Sequence, residues 1–394
     1  QPAKTEMTAE ALGDAPPSTV LVLPGGGASG AYKVGVLAAI SEILGADRSS
    51  CASHFDIVCG TSAGAVNAVV LATNAQQFDH GVDRLRGFWS RLDCASIYRT
   101  DVPTVLGSAL RWLLALGSGG LLPVSPRSLL DNTPLRRLLQ SELRLSRLPE
   151  AIATGALRGV AVSASAYTRS SAVSFYQGHD SLEPWRRTRR CGEPATLTVE
   201  HVMASAALPL VFPAERIGDE YYGDGGMRMG APLSPAIHLG ADRLLVIGTR
   251  DEKPDPAPES VPAYPGAAVV GGYLLDTVFM DTLQADLARL ARINETLALM
   301  TPEQRGNTSL RHLRTLVIRP SRDLRELTAE HAASLPGTVK LLLRTLGGWG
   351  RDWRMASYLM FQAEYCKALI ELGYEDGLAK AGDLRRFLHA GTPG

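Results

Sequence analysis

Short apolar runs alternate with longer segments of helical periodicity along most of this chain. Thr19–Leu23 predicts a strand, and Ala31–Leu44 predicts a helix with Val34, Leu37 and Ile40 at helical spacing. Phe55–Cys59 reads as the next strand, with Ala65, Val66, Ala68, Val69, Val70 and Leu71 supplying an apolar helix behind it. Gly159–Ala166, Ala172–Tyr176, Arg243–Thr249 and Leu313–Ile318 read as later strands. Ile217–Gly226 reads as a hairpin with a two-residue Gly218-Asp219 turn, followed by a short strand ending at Asp224. Strands and helices alternating in this way predict an α/β fold with a mainly parallel sheet between helices.

No composition shift divides the 394 residues cleanly. The expectation is a flexible tail over residues 1–17 and one domain over 18–394, with a core at 18–250 and a helix-rich part at 266–394. The proline-rich, acidic run Asp251–Pro265 reads as an exposed loop. No internal repeat is found.

The chemistry concentrates where strands meet glycines. Gly60-Thr61-Ser62-Ala63-Gly64 lies between a strand and a helix, the setting of a nucleophile elbow, in which flanking glycines permit a turn sharp enough to expose the serine hydroxyl. Upstream, Gly25-x-Gly27-x-x-Gly30 also follows a strand and precedes a helix. It has two readings: a dinucleotide-binding turn, or a loop whose unshielded amides stabilise an oxyanion. The first wants an acidic residue at the end of the second strand, whereas that strand ends in Cys59-Gly60-Thr61-Ser62 and Asp56 sits near its beginning.

A serine nucleophile needs a base. None of the eight histidines lies in a glycine-framed loop, but Asp224 does, in Gly223-Asp224-Gly225-Gly226. Taken alone, Asp224 equally reads as the first residue of an Asx turn. An α/β-hydrolase triad of Ser62, Asp224 and His238 or His312 has the right chain order, although its elbow normally follows several strands and here follows the second. A non-catalytic scaffold is a further alternative.

Four ordered blocks resemble the patatin-like phospholipases of bacterial type: Gly25–Tyr32, Gly60–Gly64, Ala204–Pro209 with Phe212-Pro213, and Gly223–Gly226. The resemblance implies a three-layer α/β/α sandwich with a helical C-terminal extension and no cofactor or metal. It implies a Ser62–Asp224 dyad that hydrolyses fatty-acyl esters of lipids through an acyl-enzyme, with Gly25, Gly26 and Gly27 as the oxyanion hole. Gly30, Gly60, Gly64, Gly225 and Gly226 then support the elbow and loops. Two positions depart from the family pattern: Ser29 stands where Arg or Lys is frequent, and Gly230 where a polar residue such as Asn is frequent.

Charge and cysteine content narrow the partners. With 40 basic and 40 acidic residues the chain offers no global attraction to nucleic acid. Five cysteines without a Cys-x-x-Cys pair argue against a zinc site or disulfide framework, and no Asp-rich loop has calcium spacing. Cys59 reads as a small core residue. No signal peptide is recognisable, and a chain opening on Gln1 is expected to be a processed product or fragment. Val105–Val124 is apolar but too interrupted by glycine to span a bilayer, and is expected to form a lid or a buried segment. Val339–Leu346 with Trp349 and Trp353 is expected to pack in the core or lie on a membrane surface. Peripheral membrane association through one of these segments is the corresponding expectation.

Overall fold

The computed structural model describes residues 17–45, 54–101, 128–251, 264–350 and 353–389, with Lys253 and a few positions between 103 and 114. Among the described residues, ten strands form one sheet: β1 (Thr19–Leu23), β2 (Ile57–Thr61), β3 (Gly159–Ala166), β4 (Ser171–Gly178), β5 (Trp185–Arg187), β6 (Arg190–Pro194), β7 (Glu215–Ile217), β8 (Glu220–Asp224), β9 (Arg243–Ile247) and β10 (Arg314–Ile318). The spatial order is β10-β9-β1-β2-β3-β4-β6-β5, with β8 on β3 and β7 on β8. From β10 to β3 every pairing is parallel, whereas β4 and β8 pair with β3 antiparallel.

Because successive strand residues point to opposite faces, the central strands feed two cores. Leu21, Leu23, Val58, Leu245 and Ile247 enter a core shared with helices α1 (Gly30–Gly45), α2 (Ala63–Ala72) and α3 (Phe78–Ser90). Val20, Val22, Ile57, Cys59, Leu244 and Val246 enter the other, closed by the helices Ser234–His238 and Thr282–Leu299. The result is the three-layer α/β/α arrangement expected from the alternation of strands and helices. The helix Ala363–Ala379 joins the first core through Tyr365 and Leu369, and the Tyr32 hydroxyl of α1 donates a 3.0 Å hydrogen bond to its Asp376.

Several boundaries move. The second strand runs over Ile57–Thr61 rather than Phe55–Cys59, carrying it up to the serine, and α2 starts at Ala63 rather than Ala65. The strand expected at Arg243–Thr249 stops at Ile247, and the late one starts at Arg314. β5 and β6 escape pattern reading because they are short and polar: β5, at the edge of the sheet, reads Trp185-Arg186-Arg187, and β6, between it and β4, holds Gly192, Glu193 and Pro194. The hairpin stands as expected, with Ile217 opposite Glu220 and Gly218 at a φ of 60°. The tail, most of the proline-rich loop and most of Val105–Val124 lie outside the described residues. In the helix Gly337–Thr345, Val339 and Leu343 are buried, Leu341 alone of its leucines is exposed, and Arg344 stacks on Trp349, so one face of this segment packs inward.

Candidate active site

Parallel strands end at one rim of the sheet, and both glycine motifs fall there. β1 delivers Gly25–Gly27 and β2 delivers Ser62. The chain passes from β2 into α2 with Ser62 as the only joint, at φ 55° and ψ −128°, a strained conformation for a residue with a side chain. The turn brings α2 against the end of β1 so closely that a Cβ on Gly64 would lie 1.9 Å from the Leu23 carbonyl oxygen. The Ser62 amide donates to Ser205 Oγ at 2.8 Å, and that hydroxyl donates to the Ser163 carbonyl at 2.6 Å. Ser205 thereby locks the strained turn to β3.

Strand register brings Asp224 to Ser62. β3 is eight residues long, and its first part pairs with β2 up to Thr61 opposite Ser163. From the next residue onward the same edge pairs with β8, beginning with Ala164 opposite Asp224. The C-terminal ends of β2 and β8 therefore meet head to head along β3. Gly225 must be a glycine for this to happen, since a Cβ there would lie 2.1 Å from the Ser163 carbonyl oxygen.

Asp224 is fully buried. Its Oδ1 accepts the Gly226 N–H at 2.9 Å, the Asx turn of the simpler reading, which leaves Oδ2 available. Burial drives the Asp224 pKa up to about 7, against the opposing pull of the Ser62 hydroxyl and the Gly226 amide. Oδ2 accepts no hydrogen bond of full geometry from any described residue, so its contact with the Ser62 hydroxyl is a loose one. A carboxylate with a pKa near neutrality and an unused oxygen has the properties of a general base.

The glycine loop turns tightly, with φ at 148° for Gly26 and 57° for Gly27. A Cβ on Gly25 would lie 3.3 Å from Ser62 Cβ, so the loop borders the serine directly. The N–H groups of Gly25, Gly26 and Gly27 donate to nothing among the described residues. Consecutive unpaired amides at such a place need an acceptor from outside the chain.

Ser62 opens onto an apolar cleft lined among others by Val66, Trp89, Leu208, Phe212 and Phe361. Phe279 joins the lining from a π-helical turn, Thr277–Asp281. Its ring fills the space beside Gly25 and Gly226, where added Cβ atoms would lie 2.6 and 2.2 Å from it, and packs on Tyr358 at 5.6 Å. Pattern reading misses Phe279 because nothing in the sequence ties residue 279 to the glycine motifs.

All the residues singled out from sequence, Gly25–Gly27, Gly30, Gly60, Ser62, Gly64 and Asp224–Gly226, fall in or beside this rim. The histidines of the rival triad do not. His238 packs edge-on against Trp185 at 4.3 Å, His312 is exposed, and neither lines the Ser62 cleft. Among the described residues no group of three or more His, Cys, Asp or Glu side chains is placed to hold a metal ion.

A serine on a strained strand-to-helix turn, at the rim of a three-layer α/β/α sandwich, places this chain in the class of α/β proteins with a hydrolase-type elbow. The family profile described as patatin-like phospholipase matches residues 21–237, more than half of the chain. The chain belongs to that family, and membership implies lipid acyl hydrolase activity. A cGAMP-activated phospholipase of Pseudomonas aeruginosa is 29% identical over 278 residues, 66% of this chain and 67% of that protein. Among solved structures, VipD from Legionella pneumophila matches with 12% identity and a TM-score of 0.32, over 96% of this chain and 89% of that one. The type III effector protein ExoU matches with 15% identity and a TM-score of 0.35, over 95% of this chain and 54% of that one.

Proposed function

We propose that this protein hydrolyses fatty-acyl esters of phospholipids or lysophospholipids, with Ser62 as the nucleophile and Asp224 as the base. The observation that carries the reading is the head-to-head meeting of β2 and β8 on β3, which sets a strained serine beside a buried carboxylate. Asp224 Oδ2 takes the proton as Ser62 Oγ bonds to the ester carbonyl carbon, and the carbonyl electron pair moves onto oxygen, facing the amides of Gly25–Gly27. Collapse breaks the ester bond, and the departing alcohol takes the proton from Asp224. Water, deprotonated by the same carboxylate, then attacks the acyl carbon; collapse of this second intermediate breaks the bond to Ser62 Oγ, which takes the proton back from Asp224 as the fatty acid leaves. The apolar cleft suits the acyl chain, because its lining is aliphatic and aromatic side chains of the kind that hold a mostly hydrocarbon ligand.

Residues 18–394 act in this reading as one unit, and contact with a bilayer belongs to it as well. Val270, Tyr273 and Leu274 expose an apolar face on the helix Ala267–Asp276, which runs directly into the turn bearing Phe279. Tyr273→Glu with Leu274→Glu is expected to lower sedimentation with phosphatidylcholine vesicles while leaving hydrolysis of a short soluble ester intact.

The direct test is labelling with a lipid-like fluorophosphonate followed by peptide mapping, alongside a phospholipid turnover assay run with and without cGAMP, the activator in the relative's name. One adduct on Ser62 is expected, lost in Ser62→Ala and strongly slowed in Asp224→Asn. Undiminished turnover in Ser62→Ala overturns the proposal.

A further inference from the structure

The unpaired amides of the glycine loop are held in place from behind. A trans peptide plane directs the carbonyl of one residue and the N–H of the next to opposite sides. The Gly25 carbonyl accepts from Lys33 Nζ at 3.3 Å, and the Gly26 carbonyl accepts from Ser29 Oγ at 2.6 Å and from the Ser29 amide at 3.2 Å. Fixing those two carbonyls fixes the directions of the Gly26 and Gly27 N–H groups, neither of which has an acceptor among the described residues. Further along the loop, the Gly30 carbonyl accepts from Asn67 Nδ2 at 3.1 Å, and Asn67 Oδ1 accepts from Trp89 Nε1 at 2.8 Å.

We infer that Lys33 and Ser29 are positioning residues that aim the Gly26 and Gly27 amides at the developing oxyanion; this rests on the acyl-hydrolase reading above. Lys33 is the less expected of the two. It lies on α1 with no exposed surface, and its amine has the Gly25 carbonyl as its hydrogen-bond partner. Burial lowers its pKa to about 7, a cost that an apolar side chain of similar length avoids. The hydrogen bond survives in either state, because both the ammonium and the neutral amine donate. Ser29 is also buried and reaches its carbonyl over one turn of chain. In this chain the position where relatives often carry a cation thus serves to orient a peptide, while a cationic residue approaches the same loop from beneath.

The test compares Lys33→Met and Ser29→Ala with the wild type, with Ser29→Thr as the variant that keeps the hydroxyl. Two quantities are read: kcat and KM on a phospholipid substrate, and the affinity for a lipid trifluoromethyl ketone, whose serine adduct carries an oxyanion. The expected result is a loss of about tenfold to a hundredfold in kcat and in ketone affinity for Lys33→Met and Ser29→Ala, with KM within about twofold, and recovery in Ser29→Thr. Folded variants that keep wild-type kcat and ketone affinity overturn the inference, as does a change confined to KM. If Lys33→Met fails to fold, Ser29→Ala and Ser29→Thr decide alone. Ser62→Ala is run in parallel: if it stays active the hydrolase reading itself fails, whereas if it is dead and the positioning variants are unaffected only this inference fails.

Discussion

Replacing Asp224 by Asn is expected to inactivate the protein and stabilise it, by an amount that depends on pH. Asp224 is fully buried, and its pKa stands at about 7 where an ordinary aspartate has 3.8. A carboxyl group whose folded pKa lies above its unfolded one makes the folded state bind more protons than the unfolded state between those values. Stability therefore falls as pH rises through the window from about 4 to 7, and stays lost above it. Raising a carboxyl pKa from 3.8 to about 7 corresponds to about 4 kcal/mol lost once the group is ionised in both states. Asn keeps the Oδ1 contact with the Gly226 amide and carries no charge, so it does not incur that loss. Its Nδ2 takes the place of Oδ2, which has no hydrogen-bond partner among the described residues, and an unpaired N–H subtracts about 1–3 kcal/mol at every pH. The difference between two pH values is free of that subtraction: the advantage of Asp224→Asn over wild type at pH 8 is expected to exceed its advantage at pH 5 by about 2.5 kcal/mol. Urea titrations of both proteins at both pH values measure it. An advantage that does not change between pH 5 and pH 8 refutes the claim that burial of a titrating Asp224 charge is what this site costs.

Three further outcomes follow from the same geometry. Because the base must be ionised to accept the serine proton, kcat/KM is expected to fall about tenfold per pH unit below about pH 7; a flat profile down to pH 5 counts against Asp224 as the base. Gly64→Ala would press a methyl group onto the Leu23 and Pro24 carbonyl oxygens and is expected to cost about 3 kcal/mol or more, read as a loss of soluble protein or a large fall in Tm. Ala206→Phe narrows the apolar cleft and is expected to shift the ratio of kcat/KM values toward shorter acyl chains, measured on a series of esters of increasing length; an unchanged ratio removes the cleft as the acyl site.

The parts of the site that are legible in sequence are those in which backbone geometry is encoded by adjacent residues. A serine between glycines after an apolar run leaves the chain few conformations, so the elbow is placed to within two residues without knowledge of any contact. Asp224 is legible as a residue but not as a neighbour of Ser62. That proximity depends on β3 pairing with β2 along one stretch of an edge and with β8 along the next, and register between distant strands leaves no local mark. Ser205 lies in a block that aligns by resemblance, yet its bond to the Ser62 amide requires the helix Val199–Ser205 to be packed against β3. Lys33 shares the otherwise apolar helix α1 with Ser41 and Glu42, and nothing in the local pattern marks it as the buried one.

Lys33, Ser29, Asn67 and Ser205 point to a division of labour within the rim. The groups proposed to face substrate, Ser62, Asp224 and the loop amides, have unused valence: Oδ2 and three N–H groups find no hydrogen-bond partner among the described residues. Immediately behind them, the polar side chains that hold the elbow and the loop have partners in the backbone. A buried donor left unpaired costs about 1–3 kcal/mol, so several at one place are sustained only by a well-braced surround. If that bracing is what keeps the site open, loosening any one tie should cost little in global stability and much in turnover, because the freed loop can then satisfy its own amides. The opposite pattern, large losses of stability with turnover per folded molecule preserved, would mean that Lys33, Ser29, Asn67 and Ser205 serve the core and that the amides are oriented by the loop backbone alone.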